Sequence, residues 1–251
     1  MAIEGPVDDG SDFLTFREAR NHDTPDVEAY VDLAADLRDV VDGEVRFDEY
    51  AQVLYATDGS IYRARPAGVV IPRHPEDVAA AVRTAADHEV PVLPRGAGSS
   101  LAGQTVGPGC VVLDLSKYMD AIVSIDPEAK QATVQPGVVQ DDLDAALAEH
   151  GLKFAPDPAS SNRATIGGGI GNNSTGAHSV RYGITDAYTA ECKAVLADGS
   201  TIHTREIVLD SEEWDRVTGR DDREAAIYET VRAIVEDNAE EIEDRYPDLK
   251  R

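Results

Sequence analysis

The stretch Thr165-Ile166-Gly167-Gly168-Gly169-Ile170-Gly171-Asn172-Asn173-Ser174-Thr175-Gly176-Ala177-His178-Ser179-Val180-Arg181-Tyr182-Gly183 decides the fold. Glycine loses more backbone freedom on folding than any other residue, so a chain that accumulates it needs a return. The usual one is close approach of the backbone to a flat or charged ligand. A flexible linker is the competing reading. Linkers, however, do not carry apolar residues at the intervals of Ile166, Ile170, Val180 and Tyr182. Asn172 and Asn173 open sequons with Ser174 and Thr175, but Met1 to Gly10 has neither the basic nor the apolar part of a secretory signal. Glycosylation is therefore not expected.

A second glycine-rich segment lies upstream, Pro94-Arg95-Gly96-Ala97-Gly98-Ser99-Ser100-Leu101-Ala102-Gly103-Gln104-Thr105, directly after a strand-like Val92-Leu93. Small, hydroxyl-rich residues at a strand end can turn several backbone N–H groups toward one anion. A P-loop is excluded: Gln104 stands where the phosphate-neutralising lysine must be, and Val106-Gly107-Pro108-Gly109 follows in place of a helix. A dinucleotide GxGxxG is excluded as well, since Leu101 takes the third glycine position and no helix end faces a pyrophosphate. Two readings stay open for this segment by itself: a loop that wraps a pyrophosphate with amides and hydroxyls, or a tight structural turn.

Around these segments the pattern is that of mixed helix and strand. Thr24-Pro25-Asp26 reads as a helix start, with the stripe Val27, Tyr30, Val31, Ala34 and Leu37 and a stop at Gly43. Val69-Val70-Ile71, a helix from Pro75 with the stripe Val78, Ala81, Val82 and Ala85, and Val92-Leu93 form a strand–helix–strand unit. Strands are expected at 111–115 and 132–135, and a helix from Gln140 to His150 with Leu143 and Leu147 inward, closed by Gly151. Residues 191–196 and 201–204 read as a hairpin around Asp198-Gly199. The last segment reads as one long amphipathic helix with Ile227, Val231, Ile234 and Val235 on a face. Residues 1–23, polar and acidic, read as a loose arm.

Composition narrows the classes. The chain has 251 residues, 42% of them hydrophobic, enough for a real core. Asp and Glu number 48 against 23 Lys and Arg, a net charge of −25. Such a surface repels phosphate backbones and anionic lipids, so nucleic acid is not an expected partner. Acid this abundant and this dispersed fits a protein adapted to high salt. No run approaches the roughly 18 apolar residues of a membrane span; a cytoplasmic location is the expectation. Cys110 and Cys192 read as buried packing residues, and the six histidines show no ligand spacing, so no metal site is expected.

Taken in order, Arg95 to Gln104, Ala132-Thr-Val-Gln-Pro-Gly137, Ala155-Pro-Asp-Pro158, Ile166 to Gly176 and Arg181-Tyr-Gly183 resemble the FAD-binding domain shared by vanillyl-alcohol oxidase, p-cresol methylhydroxylase and the D-lactate, glycolate and D-2-hydroxyglutarate dehydrogenases. The resemblance runs from about residue 45 to 207. It implies an α+β fold of the p-cresol methylhydroxylase type, with two subdomains at about 45–115 and 120–208 and FAD between them. An N-terminal arm and helix at 1–44 and the start of a further region at 209–251 flank it.

By the same resemblance, Pro94, Arg95, Gly96, Ala97, Gly98, Ser99, Ser100, Gly103 and Gln104 wrap the pyrophosphate. Ile166, Gly167, Gly168, Gly171, Asn172, Asn173, Gly176 and Ala177 lie along the flavin and the rest of the dinucleotide, and Pro136, Pro158, Tyr182 and Gly183 line the same cleft. Some relatives attach FAD covalently through a histidine near the first loop; Ser99 and Ser100 stand there in this chain, so non-covalent FAD is expected. His178, beside the Gly176 turn, is assigned a structural role.

Relatives of this type carry a C-terminal domain that supplies a carboxylate-binding arginine and a proton-accepting histidine. Past residue 208 the sequence holds a charged loop and a helix, so no catalytic residue is assigned, and the chain reads as the FAD-binding portion of a D-2-hydroxy-acid dehydrogenase that lacks its substrate domain. The alternatives are a subunit completed by a second chain, and a sugar-nucleotide enolpyruvyl reductase, which the Pro-Asp-Pro motif fits less well. An iron–sulfur portion follows in some relatives; this sequence contains no cysteine cluster for one.

Overall fold

A computed structural model describes residues 27–246. The Thr24-Pro25-Asp26 helix start and the arm at 1–23 lie outside the described residues. A 3₁₀ turn at Val27–Tyr30 leads into α1 (Val31–Val40), followed by β1 (Glu44–Arg46), α2 (Glu49–Leu54), β2 (Gly68–Ile71), α3 (Pro75–Asp87), β3 (Val92–Arg95) and β4 (Val111–Asp114). These strands form one sheet in the order β1-β2-β4-β3, with β2, β4 and β3 parallel and β1 antiparallel at an edge. Val69, Val70, Val111, Val112 and Leu113 are fully buried, as strands covered on both faces require. Leu33, Leu37, Ala81 and Ala85 pack with Val70, Val111 and Leu113, while Ala51 of α2 packs with Val69, Ile71 and Val112. The strand–helix–strand unit is present, β2 and β3 running parallel in the sheet with β4 between them. One expectation changes here. In α1 it is Leu33, Ala34 and Leu37 that are buried, while Val31 faces solvent.

α3 starts as its sequence dictates: Pro75 sits in the first turn, Glu76 and Asp77 follow, and His74 Nδ1 accepts from the Asp77 N–H at 3.3 Å. Asp77 is itself buried, its carboxylate accepting from the N–H groups of Asp42 (2.9 Å) and Arg73 (2.8 Å). Asp42, His74 and Asp77 thereby converge as a group that scattered sequence positions did not announce. Its hydrogen bonds are those of a helix cap joined to the turn after α1.

The second half holds β5 (Ile122–Asp126), β6 (Gln131–Val134), α4 (Gln140–Ala148), α5 (Ile166–Gly171), α6 (Ser179–Tyr182), a 3₁₀ turn at Thr185–Tyr188, β7 (Glu191–Val195) and β8 (Thr201–Arg205). Two antiparallel ribbons result, β5-β6 and β7-β8. The core here is Val138, Leu143, Leu147 and Ile166, flanked by Ile122, Ile125 and Val134. Gly151, at φ +69°, closes α4 as read from sequence. Neither β1 nor β5 is evident from sequence: the first is three residues long, and the second alternates its exposure without a strong apolar run. Cys110 is buried, its thiol pushed up to about 11 by desolvation, whereas Cys192 is only half-buried because β7 lies in a ribbon open to solvent.

Asp144 in α4 offers a test of this packing. Burial raises its carboxyl above the ordinary carboxylate value, the neighbouring Asp141 and Asp157 add to that rise, and the Phe154 N–H and Lys153 only partly oppose it. A carboxyl that binds its proton more readily when folded destabilises the fold at neutral pH, and the penalty fades as pH falls toward the raised pKa. Asp144→Asn keeps an acceptor for the Phe154 N–H. It is expected to raise Tm by about 1–2 °C at pH 7 and by less near pH 4, followed by thermal melts at both pH values.

After β8 come α7 (Glu212–Thr218), α8 (Arg223–Asp237) and α9 (Ala239–Arg245). The single C-terminal helix expected from sequence is broken at Asn238, whose φ of −120° leaves the helical region. Trp214, Val217 and Ala225 are buried, and Arg205 pairs with Glu213 at 2.8 Å and Glu224 at 3.5 Å. The stripe of Val231, Ile234 and Val235 is instead about half exposed. Among the described residues no helix is long and apolar enough to cross a membrane.

Candidate functional site: two glycine segments that meet

The first glycine segment leaves the carboxyl end of β3, where open parallel sheets commonly bind ligands. The amide N–H groups of Gly96, Ala97, Gly98, Ser99, Ser100 and Leu101 donate to nothing among the described residues, and the Ser99 and Ser100 hydroxyls are likewise unpaired there. Consecutive unpaired amides in a turn make a concavity suited to an anion. The loop is held from behind. Arg95 donates to the carbonyls of Tyr55 (3.3 Å), Thr57 (2.8 Å) and Thr105 (3.1 Å), and its guanidinium lies over the Tyr55 ring at 5.3 Å.

Burial pulls the Arg95 guanidinium below its ordinary pKa, and the carboxylates of Asp114 and Asp58 oppose that. Tyr55 donates to Asp114 at 2.5 Å and is pushed up by burial and by that carboxylate. Asp58 accepts from Ser60 N–H at 2.8 Å and from the Thr105 hydroxyl at 3.0 Å; burial would raise its carboxyl, but these bonds prevail and hold it low. Gly98 needs its glycine twice: φ is +65°, and a Cβ would stand 2.4 Å from the Arg95 guanidinium.

The second segment is partly helical, where the sequence reads as irregular. Thr165 caps α5 by accepting from the Gly168 N–H at 3.3 Å, and buried Ile166 anchors it in the core beside Val138. One side of α5 is pressed on the protein: Gly167 donates to Pro136 O at 2.9 Å, and a Cβ there would lie 2.6 Å from the proline ring. A Cβ on Gly169 or Gly171 would meet nothing within 4 Å. Further on, Gly176 lies against the Asp157 carbonyl, 1.9 Å from where its Cβ would be, and Ala177 donates to the same oxygen at 3.2 Å. Asn173, at φ +45°, is tied to Asp186, and Gly183 ends α6 at φ +91°.

The two segments touch. A Cβ on Gly96 would stand 2.1 Å from Thr165 Oγ1, so the unpaired amides of the first loop begin against the cap of the glycine helix. Residues 66–205, more than half of the chain, match the FAD binding domain family. The chain belongs to that family. It is 36% identical over 212 residues to the D-2-hydroxyglutarate dehydrogenase of Pseudomonas putida, a match covering 83% of this chain and 21% of that protein. It is 36% identical over 167 residues to the glycolate oxidase subunit GlcD of Bacillus subtilis, covering 65% of this chain and 36% of the relative. Among solved structures, p-cresol methylhydroxylase with substrate bound superposes with a TM-score of 0.61 at 24% identity, over 70% of this chain and 35% of that one. The fold is thus the α+β fold of the p-cresol methylhydroxylase type. The chain spans about a fifth of the first of these curated relatives and about a third of the second.

For an FAD binding domain, the expected site residues fall into three groups. Gly96 meets the Thr165 cap of α5, Pro136 meets Gly167, and Pro158 lies beside Gly176, so these gather around α5 and the turn that follows it, while Gly98, Ser99 and Ser100 continue the loop with their amides unpaired. Others are committed within the protein. The Arg95 side chain serves the carbonyls behind its loop, Asn172 donates to Gly168 O at 3.1 Å, and Asn173 is paired with Asp186. Pro94, Ala97 and Gln104 are exposed; Gln104 accepts from Ala102 N–H, and Gly103 packs beside Tyr62 rather than against α5. Tyr182 is exposed, its carbonyl accepting from Tyr188 at 2.6 Å. Three residues escape a reading of the sequence. Thr165 joins both segments, and only its place ahead of a glycine run could have marked it as a cap. Gly169 lies inside α5 with no atom of the rest of the protein within 4 Å of where its Cβ would be. Asp58 organises the first loop from 37 residues before Arg95 (95 − 58), a separation with no local signal.

Proposed function

We propose that this chain holds FAD non-covalently between the two glycine segments and forms the flavin-binding portion of an oxidoreductase acting on a D-2-hydroxy acid. The contact of Gly96 with Thr165 carries the reading, because it joins a run of unpaired amides to a helix whose outward side is bare backbone. The amides and the Ser99 and Ser100 hydroxyls suit a pyrophosphate, and the side of α5 at Gly169, about 200° round the helix from Gly167, suits a flat ring system. A helical glycine costs about 1 kcal/mol relative to alanine. Neither space nor φ within the protein demands glycine at 169, so a ligand resting there is the physical reason for it. When bound, FAD supplies two-electron redox chemistry, and the chain's part is to position it.

Attachment is read as non-covalent because the first loop has serines where a histidine would be needed, Cys110 is buried and turned to Gly107 O, and His178 is engaged by Asp157. The domain spans about 45–208, its first part built on the β1–β4 sheet and its second on the two ribbons. The substrate class rests on the relatives' names, a hydroxyglutarate dehydrogenase and a glycolate oxidase. This chain spans about a fifth of the first of those proteins and about a third of the second, and no carboxylate-binding or proton-accepting group is assigned within it. A second reading, a flavin subunit completed by another chain, is favoured by the word subunit in the name of the glycolate oxidase relative.

Visible absorption of the purified chain, before and after acid precipitation, tests the flavin reading. A flavin spectrum released into the supernatant is expected. A folded, colourless protein that takes up no added FAD would sink the proposal, and colour retained in the pellet would overturn non-covalent attachment.

A further inference from the structure

Two stretches that lie on either side of α5 in the sequence meet in the fold. Pro156-Asp157-Pro158 is a stiff strap, since each proline fixes its own φ. Buried Gln140 holds it from the inside through a hydrogen bond from Nε2 to the Pro156 carbonyl. On its other side the Gly176 turn lies directly against the Asp157 carbonyl, and the Ala177 N–H donates to it. One residue later His178 Nδ1 stands 2.7 Å from Asp157 Oδ2. Backbone and side chain of the same aspartate therefore hold the same turn.

The pair is poorly placed to be a core element. His178 keeps 57% of its side-chain surface and Asp157 keeps 27%, and neither packs into the cluster around Leu143 and Ile166. Its other near neighbour is the Tyr182 ring at 6.3 Å. It does tie the strap at Pro158 to the turn at Gly176, two stretches in direct contact whose relative placement follows from how Asp157 is held.

We propose that Asp157 and His178 form a positioning clasp that holds the strap and the Gly176 turn together as one wall of the flavin site, and hence sets the affinity for FAD. This rests on the FAD reading above. Neither residue is assigned contact with reacting atoms. The clasp works by reach and by hydrogen bonding to the Asp157 carboxylate, so another donor of similar reach at 178 should serve, and a side chain without one should not.

FAD dissociation constants, from quenching of flavin fluorescence at low salt, test the clasp in the full chain. His178→Ala and Asp157→Asn are each expected to weaken binding about threefold to fivefold, the range of one polar contact between partly exposed groups. His178→Arg is expected to stay within about twofold of the parent. His178→Ala combined with Asp157→Asn should be no weaker than either single variant, since one interaction is lost in all three. Thermal melts of the flavin-free variants should agree with the parent, which separates the clasp from general loss of folding. Equal affinities for parent and His178→Ala would overturn the clasp and leave the FAD reading intact, as would His178→Arg binding no better than His178→Ala. A parent chain that binds no FAD would overturn both.

Discussion

Alanine at Gly169 is expected to make the flavin-free chain more stable and to make it a poorer flavin binder. Both effects follow from one observation: a Cβ there meets no atom of the rest of the protein within 4 Å. Gly169 lies inside α5, where alanine gains about 0.5–1 kcal/mol by restricting the unfolded chain. The same methyl would stand between the backbone and a flat ring resting on it, and forcing an extra carbon into a close contact costs about 1–3 kcal/mol. Gly169→Ala should therefore weaken FAD binding about tenfold to a hundredfold, and Gly169→Val more. Neighbouring glycines supply the contrast. Alanine at Gly167 would strike Pro136, and at Gly176 the Asp157 carbonyl, so those variants should lose stability whether or not FAD is present. Paired melts and FAD titrations would sort the glycines into those the protein needs and those a ligand needs. If Gly169→Ala bound FAD as tightly as the parent, the bare side of α5 would not be the flavin's resting place.

That division explains what could be read in the sequence and what could not. Buried parallel strands announce themselves because every residue in Val69-Val70-Ile71 and Val111-Val112-Leu113 is apolar, and α3 does so through its proline, its acidic first turn and its alanine stripe. Glycine density marks the two segments, since no fold accumulates glycine without cause. Sequence does not say which glycine serves which cause, because that depends on what lies across the gap from each Cβ position. Nor does it show β4 inserting between β2 and β3, a matter of pairing that the local pattern of any one strand leaves open. The apolar stripe of α8 misleads for a related reason: periodicity shows that Val231, Ile234 and Val235 share a side, and nothing local says whether another element covers it.

Arg95 shows the same limit at a single residue, and its replacement is expected to have the largest effect on the first loop. An arginine at the head of a phosphate-type loop reads as a phosphate ligand. In the fold its guanidinium lies against Gly98 and donates to the Tyr55, Thr57 and Thr105 carbonyls, tying the segment before the loop to the residue that ends it. Arg95→Ala strands three acceptors, removes the cation above Tyr55, and takes away the positive charge that offsets Asp114 and Asp58. Leaving partly buried groups unpaired costs about 1–3 kcal/mol for the first and less for those that water can reach, so a loss of about 2–4 kcal/mol is expected. FAD affinity should fall by a hundredfold or more, because the amides of Gly96 to Leu101 would no longer share one concavity. Arg95→Lys discriminates between the two roles. A phosphate ligand tolerates lysine as a point charge, whereas a fork serving three carbonyls in different directions does not. Lysine is therefore expected to recover little of the stability and little of the affinity. Recovery of FAD binding by Arg95→Lys to within about threefold of the parent would return Arg95 to the role of phosphate ligand.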